Sequence, residues 1–150
     1  MGLKEKLQGD LTEAIRSRDE LTSGTIRMLL AAIQVEEVAG KEARVLNDDE
    51  IIKVLSREAK KRREAVDAFK DAGRADKAEQ EAKEGEVILK YLPAQLSEAE
   101  IKKIVADAVA EAGATTPQQM GAVMKIVQPK VAGKADGGLV SSLVKAALGN

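Results

Sequence analysis

The stretch Tyr91-Leu92-Pro93-Ala94-Gln95-Leu96-Ser97 sets the strongest limit on what this chain can become. Proline cannot continue a helix, and it disfavours helical geometry at the residue before it. Ser97-Glu98-Ala99-Glu100 is a Ser-x-x-Glu capping box that opens a new helix at once. Composition changes across the same stretch: residues 1–96 hold 18 basic and 20 acidic side chains, residues 97–150 hold 6 and 5. This pattern predicts a charged N-terminal helical bundle over 1–92, a hinge over 93–96 and a small C-terminal helical bundle over 97–150. With so few residues left free, the two parts are expected to keep a restricted relative orientation.

Helical periodicity runs through both parts, and no strand pattern or internal repeat interrupts it. Leu3, Leu7, Leu11 and Ile15 recur every four residues with Ala14 beside them, one face of a first helix over 2–18. Ile26, Met28, Leu29, Leu30, Ala31, Ala32, Ile33 and Val35 surround the axis of a second helix, expected to be the most buried of this part and to end at Gly40. Asn47-Asp48-Asp49-Glu50 reads as a capping box for a third helix, with Ile52, Leu55, Ala59, Val66 and Phe69 as its buried stripe. A tight connection at Gly73-Arg74 makes the fourth helix antiparallel to the third. Its expected seam is Ala78, Ala82, Gly85, Leu89 and Leu92, with Glu81, Glu84, Ile88 and Tyr91 on the adjacent face.

After Ser97, Ile101, Ile104, Val105 and Ala108 face inward on a fifth helix that ends at Gly113. Thr116-Pro117-Gln118-Gln119 starts a sixth, with proline at the first helical position, and Met120, Val123, Met124 and Val127 inside. A seventh starts near Asp136 and carries Leu139, Val140, Leu143, Val144, Ala147 and Leu148. The fold class is therefore all-α: about four longer helices, then a three-helix C-terminal bundle. Only Phe69 and Tyr91 are aromatic, so both cores must be aliphatic, and the second part should be only marginally stable alone.

The chain has no Cys and no His. Disulfides, thiolate chemistry and ordinary zinc sites are excluded, as are Ser-His-Asp and Cys-His catalytic units. No metal and no cofactor is expected. The polar start Met1-Gly2-Leu3-Lys4-Glu5-Lys6 lacks the apolar core of a signal peptide, and no apolar run approaches the ~20 residues that span a bilayer. No membrane association is expected, and a cytoplasmic protein is the default. A net charge of −1 argues against strong non-specific nucleic-acid binding, though not against a local patch.

Four constellations stand out. Arg57, Lys60, Lys61, Arg62 and Arg63 form the densest basic cluster, either a phosphate-binding face or a salt-bridged helix face; the neighbouring acids favour the second. Heptad spacing puts Arg62 inside the buried stripe, where a guanidinium needs partners. Glu81 and Glu84 on the antiparallel neighbour supply them, and an Arg62–Glu81/Glu84 network is expected, with carboxylate acid-base or metal chemistry as the less favoured reading. Gly133-Lys134-Ala135-Asp136-Gly137-Gly138 leaves backbone N–H groups free at a helix start, suited to a phosphate, but Asp136 can cap that helix itself. It is not a Walker loop. Gly121 sits inside a helix, where alanine would be more stable by ~1 kcal/mol; close helix packing or an approaching ligand would account for it, with Met124 and Lys125 one turn on.

Taken together, Arg62, Gly73-Arg74 with Asp76, Glu81 and Glu84, Tyr91-Leu92-Pro93 with Gln95-Leu96-Ser97, Gly121 with Val123-Met124-Lys125, and Gly133-Lys134-Ala135-Asp136-Gly137 resemble the YqeY-like proteins. The resemblance covers essentially the whole chain in order and spacing. Lys77 departs from it, standing where relatives tend to have an apolar residue. The resemblance implies two different helical bundles and kinship with the tail of the GatB subunit of the glutamyl/aspartyl-tRNA amidotransferase, which helps hold the tRNA body. By carry-over, Gly121, Met124, Lys125, Gly133, Lys134 and Asp136 become candidate RNA-facing residues, and Lys145 joins them as a nearby cation. The family label of carbon–nitrogen ligase with glutamine as amido donor finds no catalytic residues here: no amidase Ser-Lys unit and no nucleotide site.

The expected function is a stand-alone tRNA-binding or tRNA-associated module, non-catalytic by itself. Without aromatics in 92–150, base stacking is unavailable and contacts would go to RNA backbone and shape. Two alternatives stand beside it: a helical protein–protein adaptor using the Arg57–Arg63 face, and an accessory component of a glutamine-dependent tRNA amidotransferase. The expected partners are a tRNA and an amidotransferase or other translation-related protein.

Overall fold

A computed structural model describes residues 2–149. It is all-helical, with α1 (Leu3–Arg16), α2 (Glu20–Glu37), α3 (Asp48–Asp71), α4 (Ala75–Leu89), α5 (Glu98–Ala112), a 3-10 turn (Pro117–Gln119), α6 (Met120–Val131) and α7 (Gly137–Ala147). No strand occurs among the described residues. The chain divides into two compact units, Met1–Leu92 and Pro93–Asn150.

In the first unit, α1–α4 close on an aliphatic core that includes Leu7, Ile26, Leu29, Ile33, Leu55 and Ile88, each fully buried. The helix ends are closed by local chemistry. Asp19 caps α2 by accepting the Thr22 N–H, and Asn47 caps α3 by accepting the Glu50 N–H. The Glu50 carboxylate turns to Arg44 instead of completing the reciprocal half of the expected box. Between α1 and α2, Arg18 takes a left-handed conformation (φ 59°) that a glycine would adopt without strain. Gly73 (φ 73°) does make that turn between α3 and α4.

Long-range contacts at its N-terminal end tie α1 to the rest of this unit. The Leu3 N–H donates to Asp48 at the start of α3. Glu37, largely buried at the end of α2, accepts from Lys4 Nζ (2.8 Å) and from the Leu46 N–H (3.1 Å). Glu37 thus straps the loop 38–47 closed, joining the end of α2 to Leu46.

Several expected faces shift. Ile15 on α1 is exposed, and so are Ala31 and Val35 on α2, so α2 is not apolar-packed all round. That helix ends at Glu37, before Gly40, because the turn is closed by Val38 and Ala39 N–H groups bonding back to Gln34 and Glu36. On α3 the buried row is Ile51, Val54, Leu55, Glu58 and Ala59, and from Lys60 onward no residue of α3 is buried. On α4 the packed residues are Ala78, Val87 and Ile88, with Glu81, Glu84 and Tyr91 half-buried; Ala82 and Leu89 are exposed. Lys77 lays its ammonium 5.7 Å from the Phe69 ring centre, so its stem and charge cover an aromatic face that an apolar residue would otherwise cover.

The second unit packs α5, α6 and α7 around Ile101, Val105, Ala108, Val123, Val127 and Val144. Ser97 and Glu100 form the full reciprocal capping box of α5, and Gly113 (φ 62°) ends that helix. Thr116 and Gln119 form a second box around the 3-10 turn. Ala147, expected inside, is exposed, whereas Leu148 is buried as expected.

Candidate nucleic-acid interface

The candidate residues of the second unit lie along α6, the following loop and α7. Gly121, Met124 and Lys125 occupy the first half of α6. Gly133, Lys134 and Asp136 occupy the loop and the cap of α7. Gly121 and Gly133 lie twelve positions apart, a span of about 18 Å at helical rise, so these residues are spread along α6 and its following loop and do not meet at one point.

The loop is built by backbone chemistry. Gly133 takes a left-handed conformation (φ 73°), and the Lys134 N–H folds back to the Val131 carbonyl (2.8 Å). The segment expected as a hinge supports it: the Leu96 N–H donates to the Lys134 carbonyl (2.8 Å), and Gln95 Nε2 bonds both Pro93 O (2.7 Å) and Gly133 O (2.9 Å). Two motifs nearly forty residues apart in sequence thus form one clasp. Asp136 caps α7 by accepting the Gly138 N–H (3.2 Å). The start of α7 therefore already carries a carboxylate, as the simpler reading of this loop required.

Lys125, Lys134 and Lys145 are exposed, and among the described residues their ammonium groups make no ion pair. Lys130, which the motif reading passed over, is a fourth such cation in the last turn of α6. Residues 113–150 carry these four lysines and only one acid, Asp136, while the remaining acids of this unit, Glu98, Glu100, Asp107 and Glu111, all belong to α5. Counting charge per helix would have revealed Lys130. Gly121 is exposed, and a Cβ placed there would meet nothing within 4 Å. Close helix packing therefore does not account for this glycine. Met124 is half-buried against the core.

The basic cluster on α3 behaves differently. Arg57 pairs with Glu36 (3.2 Å), Lys60 with Glu64 (4.0 Å) and Lys61 with Glu58 (3.1 Å), and Arg63 is not without a partner either. Its charge is largely spent within the unit. Arg62 lies at the α3–α4 interface with Nη1 2.9 Å from Glu81 and 3.5 Å from Glu84; Nη2 lies 3.7 Å from Glu58 and donates to Met28 Sδ (2.6 Å). Its buried Nε has no hydrogen-bond partner. Glu58 and Met28 are members that spacing alone did not reveal. Among the described residues, no group of three or more Asp or Glu side chains could hold a metal ion, and no helix is long and apolar enough to cross a membrane.

What fold and surface define is an all-helical protein of two units, one internally salt-bridged and one carrying exposed lysines on α6, its following loop and α7. The chain belongs to the YqeY-like protein family, whose model matches residues 4–148. It is 30% identical over 146 residues to the Clavispora lusitaniae protein called "Altered inheritance of mitochondria protein 41, mitochondrial", covering 95% of this chain and 83% of that one. The Lachancea thermotolerans protein of the same name is 31% identical over 95% of this chain and 76% of its own length. An uncharacterized Schizosaccharomyces pombe protein is 27% identical over 63% of this chain and 76% of its own.

Proposed function

We propose that this protein is a stand-alone tRNA-binding module, non-catalytic by itself and akin to the tail of the amidotransferase GatB subunit. One observation supports the reading above others: the charge partition of the second unit, where α6, its loop and α7 carry four lysines that make no ion pair among the described residues, against one acid. Phosphate recognition needs cations whose charge is not cancelled within the protein. The open surface over Gly121 adds a place where a backbone can approach closely. The absence of aromatic residues from 92–150 favours folded RNA, gripped through phosphates and shape. Both the cytoplasm and mitochondria hold tRNA, and the relatives' names make the second compartment as relevant as the first.

The test is a tRNA titration at several salt concentrations. Binding should weaken steeply with salt, with a log–log slope that falls by roughly one for each phosphate-contacting lysine removed. Lys134→Glu should weaken it most, by replacing the loop's only cation with a charge of the phosphate's own sign. No detectable binding near physiological salt ends the proposal, and amide transfer or glutamine hydrolysis by the purified chain ends its non-catalytic part.

A further inference from the structure

We propose that the groove between α3 and α4 receives an amphipathic helical segment of a partner protein, one that presents an apolar row flanked by lysine or arginine. The groove has a volume of about 340 Å³. Its lining runs from Ala59 to Asp67 on α3 and from Glu81 to Leu89 on α4, a stretch of nine residues on each helix, or about 12 Å end to end. That is a trough two turns long between two rods, a shape that suits a third rod.

The floor is apolar. Val66, Ala82 and Leu89 line it, and Ala82 and Leu89 are exposed in the free unit. Gly85 keeps it open: a Cβ there would lie 3.6 Å from the Arg62 Cβ, so α4 approaches α3 closely and no side chain fills the space above. The rim decides the partner's charge. Arg62 is neutralised by Glu81 and Glu84, and Arg63 also has a partner. Asp67 and Glu86 make no hydrogen bond or ion pair among the described residues. The uncommitted charge on the rim is thus two carboxylates, which repel phosphate and attract ammonium or guanidinium groups. All of its lining residues belong to the first unit.

The probe is a pair of fluorescein-labelled, helix-forming peptides of about 18 residues, with leucine at i, i+4 and i+7. One carries lysine and arginine beside that row; its twin carries glutamate at the same places. Titrated into the full chain and followed by anisotropy, the basic peptide should bind at least about tenfold more tightly than the acidic one. Asp67→Lys with Glu86→Lys should reverse that preference, and Ala82→Trp should block both peptides by filling the trough. The same double reversal at Asp107 and Glu111 on α5 should change nothing. Circular dichroism checks that each variant folds. Amide shifts of the wild-type chain provide a readout that needs no variant, and those of Ala82, Gly85 and Leu89 should move on adding the basic peptide. Equal affinity for the two peptides overturns the proposal, as do shifts confined to other residues. Self-association that occupies the groove at working concentration replaces the partner with a second copy of this chain and overturns it too.

Discussion

The Tyr91 hydroxyl donates a 2.6 Å hydrogen bond to the carboxylate of Asp10, joining residues 81 positions apart in the chain. Lys6 sits with its ammonium 5.5 Å from the centre of the same ring. Burial, first, and then the bond to the Asp10 carboxylate push the Tyr91 phenol well above its ordinary value, so it remains a donor throughout the physiological range. The stretch that ends α4 is thereby fastened to α1, the first helix of the same unit.

Tyr91→Phe removes the donor and keeps the ring. It should lower stability by about 1 kcal/mol, toward the low end for a hydrogen bond to a charged group because the site is partly solvated. Urea unfolding measures this as a lower midpoint at unchanged slope. An unchanged midpoint would show that water replaces the bond without cost.

Arg62→Met should be destabilising by roughly 1–3 kcal/mol, since it leaves Glu81 and Glu84 together without their cation. A double-mutant cycle with Glu81→Gln should return a coupling of about 1 kcal/mol or more. Arg62→Lys should not restore stability, because one ammonium cannot reach Glu81 and Met28 as the two ends of a guanidinium do. Loss of tRNA binding at unchanged melting temperature would contradict a structural role.

Glu37 makes stability depend on acid. Hydrogen bonds from Lys4 and then from the Leu46 N–H hold its carboxyl below the usual carboxylate range. Its folded value is therefore lower than its unfolded one. The stabilisation is fully present above the ordinary carboxylate range and drains away as pH falls through the depressed value. Melting temperature followed from neutral pH into acid should fall less steeply in Glu37→Gln than in the wild type. Parallel curves would assign the acid sensitivity elsewhere.

Gly121→Ala separates stability from function. With nothing within 4 Å of the added carbon, the helix should gain up to ~1 kcal/mol. If RNA approaches the backbone there, the same change should weaken tRNA binding several-fold while the melting temperature rises. A rise in both would remove Gly121 from the interface.

Much of this architecture is legible in the chain because its helix ends are marked chemically. Asn47, Ser97, Thr116-Pro117 and Asp136 each begin an element in the structure, and Gly73 and Gly113 end one. Helical spacing also puts Arg62 beside Glu81. Which side of a helix is buried was harder to read. Neighbouring rows on α4 differ by one residue, and Ala82 and Gly85 count as apolar while contributing little area. The larger gain from burying Val87 and Ile88 turns the helix the other way. Glu37 and Glu58 were invisible as buried residues because a carboxylate enters a core only with partners that sequence cannot place. The α6–α7 surface was partly legible through its motifs, but Lys130 belongs to none of them and emerges only when charge is assigned helix by helix.

The clasp between Gln95-Leu96 and the α6–α7 loop gives that loop a chemical polarity. The carbonyls of Gly133 and Lys134 already accept hydrogen bonds from the 95–96 segment. The Asp136 carboxylate is engaged as well, accepting from the Gly138 N–H, so what the loop offers an incoming molecule is chiefly the Lys134 ammonium, a donor. Such a surface discriminates by lone pairs: it favours ligands rich in oxygen acceptors and offers little to amines or amide N–H groups. A competition series of sulfate, inorganic phosphate and polyamines would read that preference directly.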